Sequence, residues 1–97
     1  MNIQKLMRQA QQMQERVQAE MAELVVEASA GGGMVTVRMS GHKQLVGVAI
    51  DPEVVDPEDP AMLADLVLAA VNEAGRKVDE ALQSKLGGMA GAPGLLG

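Results

Sequence analysis

Residues 60–86, PAMLADLVLAAVNEAGRKVDEALQSKL, decide the fold. Leu63, Leu66, Val67, Ala70, Val71, Ala74, Val78, Ala81 and Leu82 recur in steps of three and four, which lines apolar side chains along one face of an α-helix. Asp59 is placed to cap the first turn, Pro60 suits the first helical position because no N–H is needed there, and Gly87-Gly88 is expected to end the helix. Acidic residues (Asp56, Glu58, Asp59, Asp65) crowd its entry and Arg76, Lys77 and Lys85 follow later, a polarity that complements the helix dipole. Such a helix is about 40 Å long at ~1.5 Å per residue, whereas a compact domain of about 100 residues has a radius of gyration near 13 Å. Part of it is expected to overhang the core of a single subunit.

The chain has 97 residues, enough for one domain with a modest core. It contains no Cys, which excludes disulfides, thiolate metal sites and a cysteine nucleophile. The absence of Phe, Tyr and Trp removes the side chains that stack on unpaired bases, and leaves Val, Leu, Ile, Met and Ala to build the core. The N-terminus is polar and helical in pattern, and no apolar run approaches the ~18 residues of a membrane span, so a soluble cytoplasmic protein is expected. A net charge of −5 repels a polyanion at long range, but the charge is unevenly distributed. Residues 1–21 carry Lys5, Arg8 and Arg16 against Glu15 and Glu20, while residues 51–65 carry six acids and no base.

Residues 2 to about 22 predict a second amphipathic helix. Ile3, Leu6, Ala10, Met13, Val17 and Leu24 form a coiled-coil-like seam, interrupted where Glu20 falls and Met21 sits beside it. The rest of its surface is rich in Gln and lightly basic. Lys5, Arg8 and Gln12 lie about one turn apart, forming a ridge suited to phosphate oxygens, with Arg16 following; a plain solvated helix face is the simpler reading of the same residues.

From Glu23 to Ile50 the period changes to two. Leu24 to Ser29 suits a strand covered on one side; Gly31-Gly32-Gly33 makes a turn; Val35, Val37 and Met39 alternate with Thr36, Arg38 and Ser40; Gly41-His42-Lys43 turns again; and Val46, Val48 and Ile50 share a face of a third strand in which Gly47 suggests a bulge. The glycine triplet is no phosphate loop, since no GK[ST] follows and a strand rather than a helix comes next. Residues 51–60 form an acidic connector with three prolines, from which Val54-Val55 is expected to dip into the core. It lacks the spacing of a Ca²⁺ loop, and its acids are better placed as caps, so no metal is expected. The fold class is therefore α+β: α-β-β-β-α in two layers, with a three-stranded antiparallel sheet and two long helices. Residues 1–86 form a single domain, followed by a flexible glycine-rich tail over 87–97.

Nothing resembles an active site. His42 stands in a turn beside Lys43 without a partner, and neighbouring carboxylates such as Asp79 and Glu80 point apart on a helix. No enzyme activity, cofactor or small-molecule substrate is expected. Asn72 and Gly75 interrupt the apolar-rich part of the long helix; Gly75 costs about 1 kcal/mol relative to Ala, which a close helix crossing would offset.

Three segments, MRQAQQMQ (7–14), GGGMVTV (31–37), and IDP (50–52) followed by LVLAAVNEAGRK (66–77), together resemble the YbaB/EbfC family. The resemblance covers the chain to Leu86. It implies a small bacterial nucleoid-associated protein that binds double-stranded DNA as an α-β-β-β-α homodimer with helices projecting like tweezer arms. Dimerisation is also motivated by two long amphipathic helices on a sheet too small to cover both, and by sheet edges that need cover. The expected DNA contacts are Lys5, Arg8, Gln12 and Arg16, with Lys43, Arg76 and Lys77 second, made chiefly to backbone phosphates with low sequence specificity. The alternative is a dimeric protein-interaction module that uses Met7, Met13 and Met21 as an adaptable apolar surface.

Overall fold

The structure, a computed structural model, describes residues 2–90. The elements follow the expected α-β-β-β-α order: α1 (Ile3–Glu23), β1 (Val25–Ala30), β2 (Val35–Ser40), β3 (Leu45–Ile50), a short 3₁₀ turn (Pro52–Val54) and α2 (Pro60–Ala90). Asn2 caps α1 by accepting a 3.0 Å hydrogen bond from the Lys5 N–H. The helix stops at Leu24, whose extended backbone leads directly into β1.

The sheet is an antiparallel meander in the order β1-β2-β3. Val35, Val37 and Met39 of β2 lie opposite Ala30, Ala28 and Val26 of β1, so these alternate residues share the face turned to the helices. The β2–β3 ladder shifts register after Arg38. Arg38 pairs with Gly47 but Met39 pairs with Leu45, so the extra residue of the bulge is Val46. The helix-side residues of β3 are consequently Leu45, Val48 and Ile50, in place of the expected Val46, Val48 and Ile50. Between β1 and β2, all three residues of the glycine triplet have φ between 65° and 93°, a left-handed turn that side chains with a Cβ resist.

The acidic connector is organised by its aspartates. Asp51, Asp56 and Asp59 each accept a backbone hydrogen bond, from Glu53 (2.9 Å), Glu58 (2.9 Å) and Met62 (3.2 Å), and the last caps α2 as the sequence indicates. Val54 reaches the core at 2 % exposure, but Val55 does not: it is 52 % exposed.

The core joins both helices to one side of the sheet. Ala70, Ala74 and Val78 of α2 pack with Ala28, Val35, Val37 and Met39, and Val17 and Met21 bring in the C-terminal half of α1. Met21 is thus a core residue rather than part of an exposed methionine surface. α2 lies across β1 and β2 and leaves β3 uncovered. The helix does not stop at Gly87-Gly88 but continues to Ala90; once the first 27 residues are helical, adding residues needs no new nucleation, so a turn containing glycine can still propagate. The expected boundary after Leu86 therefore falls inside a helix, and residues 91–97 lie outside the described residues. The radius of gyration is 18.8 Å and the principal extents are 68 × 27 × 16 Å, so the helices do overhang the core.

The junction between α1 and the sheet is tight at Gly41. Its N–H donates to the Leu24 carbonyl at 3.0 Å, and a Cβ added there would stand 1.9 Å from the Met21 carbonyl oxygen. Gly41→Ala should therefore destabilise the protein by about 2–3 kcal/mol or more, since backbone must move to admit the methyl group. Gly32→Ala meets nothing within 4 Å and should lose only the ~1–2 kcal/mol of a left-handed backbone. Urea denaturation of the two variants checks the order.

Candidate nucleic-acid interface

The eight lysine and arginine residues fall into two groups. Lys43, Arg76, Lys77 and Lys85, on the β2–β3 turn and α2, are all engaged within the chain. Lys43 pairs with Asp79 at 2.8 Å, Lys77 donates to the Glu27 carbonyl at 2.6 Å, and Lys85 pairs with Glu20 at 3.2 Å, joining α2 to α1. Arg76 lies between Glu73 and Glu80 on its own helix: its Nε donates to Glu73 Oε2 at 2.9 Å, and its terminal nitrogens bond one to each carboxylate. The hydrogen bond from Arg76 holds the Glu73 carboxyl below the usual carboxylate range, and the same contact raises the already high pKa of the guanidinium. Lys43 also has a left-handed backbone, φ 62°, which directs the turn so that its side chain meets α2.

Lys5, Arg8, Arg16 and Arg38 take part in no ion pair among the described residues. The first three, with Gln12, are exposed on α1. At about 100° per residue they occupy one arc of the helix, roughly 140° around from the arc of Ile3, Leu6, Ala10, Met13 and Val17. The lower end of that apolar arc is buried, with Val17 at 8 % and Met21 beside it at 5 %. Its upper end projects past the sheet, leaving Ile3 66 %, Leu6 51 % and Met13 36 % exposed. The structure thus brings Lys5, Arg8, Gln12 and Arg16 together on a projecting helix and places Lys43, Arg76 and Lys77 in a separate, largely neutralised cluster.

Arg38 is a further cation unpaired among the described residues, outside the residues expected to contact DNA. It is exposed on the sheet face turned away from the helices, opposite Glu27 of β1 and Gly47 of β3. Its alternation with Val37 and Met39 was the available signal. Asn72 and Gly75 line a groove of about 470 Å³ with Met39, Lys43, Val71, Arg76 and Asp79. Among the described residues no close helix crossing occupies it: a Cβ at Gly75 would meet nothing within 4 Å. Among the described residues no helix is long and apolar enough to cross a membrane.

The chain is thus of the α-β-β-β-α class, a three-stranded sheet backed by two projecting helices, the first of which carries basic side chains that form no ion pair among the described residues. The match to a family model described as the YbaB/EbfC DNA-binding family runs over residues 1–93, and the chain belongs to that family. It is 55% identical over 96 residues to a nucleoid-associated protein of Koribacter versatilis, covering 99% of this chain and 95% of that one. It is also 55% identical over 101 residues to a nucleoid-associated protein of Acetivibrio thermocellus, covering 97% and 89%. The crystal structure of an uncharacterized Helicobacter pylori protein shares the fold, with a TM-score of 0.76 at 23% identity over 94% of this chain and 99% of that one.

The Glu73–Arg76 contact makes a pH prediction. A carboxylate whose folded pKa is depressed adds stability above its unfolded pKa and loses it as pH falls through the folded value. Glu73→Gln should therefore be less stable than the wild type at pH 7, with the gap beginning to close as pH falls below the ~4.3 of an unfolded Glu and closing fully only once pH passes below the lowered folded value. Denaturation midpoints of the pair at pH 7 and pH 3 check this, and a gap that widens on acidification contradicts it.

Proposed function

We propose that this is a nucleoid-associated protein that binds double-stranded DNA as a homodimer, chiefly through backbone phosphates and with low sequence specificity. The observation that carries this reading is the unpaired ridge of Lys5, Arg8, Gln12 and Arg16 on the projecting part of α1. A cation already held by a carboxylate must give up that contact to meet a phosphate, whereas these give up only water. The negative net charge does not oppose the assignment, because the acids concentrate in the connector and on α2 while the ridge lies elsewhere. Family membership and the names of the relatives agree with DNA as partner and the nucleoid as place of action.

Dimerisation is supported by the uncovered helix-side face of β3. Leu45, Val48 and Ile50 are 45 %, 50 % and 40 % exposed, and they lie on the uncovered side of the sheet next to the groove of Val71, Asn72 and Gly75. A second copy seated there covers the open strand and doubles the basic ridge. Val48→Glu should then convert the dimer to monomer in sedimentation velocity while keeping the helical circular dichroism signal.

Six basic side chains per dimer reaching phosphates give a slope of log K against log salt of about −5, at ~0.9 per phosphate neutralised. Fluorescence anisotropy with a random-sequence duplex at two salt concentrations measures it; binding that ignores salt, or no binding at low salt, contradicts the phosphate model. Lys5→Glu/Arg8→Glu should abolish binding without changing the oligomeric state. Arg76→Ala should weaken it less than about threefold, since Arg76 is already satisfied by Glu73 and Glu80.

A further inference from the structure

We infer that the apolar stripe on the outer half of α1 joins neighbouring DNA-bound molecules arm to arm, its occupant being the same stripe of a second copy. Ile3, Leu6 and Met13 are 66 %, 51 % and 36 % exposed, and Ala10 continues the row between them. The dimer surface proposed at β3 is elsewhere, at the sheet, and does not account for them. The stripe extends the seam whose inner end, Val17 and Met21, is already packed in the core, so the outer half presents the same spacing without cover among the described residues.

The flanks of the stripe say what can lie against it. Around the helix the immediate flanks of the outer stripe are Asn2 and Gln9 on one side and Met7 and Gln14 on the other, all uncharged; the Asn2–Gln9 row first meets a charge at Arg16, beside the buried Val17. Identical helices brought together usually set like charges against each other, and here that penalty is missing; amide side chains both donate and accept, so they match their own copy in either orientation. A charged partner, in contrast, would find no complementary charge along this face.

The position relative to the ridge supplies the coupling. Because Lys5, Arg8 and Arg16 lie roughly 140° around the helix from the stripe, an arm on DNA keeps the stripe turned away from the phosphates. Three partly exposed side chains and an alanine from each of two arms fall well short of the ~1,200 Å² buried by a stable interface. Arms should therefore stay apart in free solution and associate when DNA holds them at high local concentration. The inference rests on the DNA reading above and adds cooperativity to it.

Duplexes of two lengths separate the two. A duplex of about 15 base pairs, ~50 Å long, has little room for neighbours, and one of about 150 base pairs has ample room. The wild type should bind the short duplex without cooperativity and the long one with a Hill coefficient above 1. Leu6→Gln should bind the short duplex within about twofold of wild type, lose the cooperativity and weaken on the long duplex by ~10-fold or more; Leu6→Met should restore both. The chain has no cysteine of its own, so Leu6→Cys gives an independent readout: oxidation should cross-link copies on the long duplex and not in its absence. Non-cooperative wild-type binding to long DNA, cooperativity that survives Leu6→Gln, or cross-linking equal with and without DNA overturns the inference while leaving the DNA reading standing. A wild type that fails to bind the short duplex at low salt overturns the DNA reading itself.

Discussion

One helix cannot cover three strands. An α-helix with its side chains is about 10–12 Å across and strands lie ~4.8 Å apart, so α2 spans two strands and no more. Ala70 and Ala74 bring it close enough to bury Val35 and Val37 completely, and that contact fixes the helix over β1 and β2. The other packing features follow. β3 is left open on its helix side, α1 enters the core only through its last two turns, and both helices run beyond the sheet because there is no more apolar surface beneath them.

This architecture separates tasks that a compact domain would have to combine. The sheet and the middle of α2 hold the core, while the helix side of β3 and the outer part of α1 keep their surface exposed. The placement of charge follows the same separation. The cations of α2 and of the β2–β3 turn are tied to Asp79, Glu73, Glu80 and Glu20 or to a backbone carbonyl, where they position α2 against the β2–β3 turn, β1 and α1. The cations on the outer part of α1 have no such structural duty.

The element order, the cap at Asp59, the apolar stripe of α2 and the turn at the glycine triplet were legible in the sequence because each depends on local periodicity or local backbone chemistry. The misplaced features depend on contacts between distant residues. Val46 alternates correctly with Val48 and Ile50, and only the register with β2 reveals that it is the bulged residue. Val54 and Val55 are chemically identical, and which one enters the core depends on the direction in which the 3₁₀ turn aims them. Glycines 87 and 88 look like a stop signal, yet the helix before them was long enough to carry through. The first-helix ridge could be read from spacing alone. That Lys43 and Lys77 are partnered could not, because Lys43 finds Asp79, and Lys77 finds Glu27, across long stretches of chain, whereas the pairing of Arg76 with Glu73 and Glu80 follows from helical spacing alone.

The contact between Gly41 and the last turn of α1 acts as the pivot of a lever. From Met21 to Ile3 the helix is about 27 Å long at ~1.5 Å per residue, so a tilt of about 10° at the pivot moves the tip by roughly 5 Å. Successive phosphates along one DNA strand are separated by only ~3.4 Å of helical rise. On the DNA reading proposed above, the choice of which phosphates the arm reaches is made at Gly41, a residue outside the basic ridge, and a methyl group there would re-aim the whole helix.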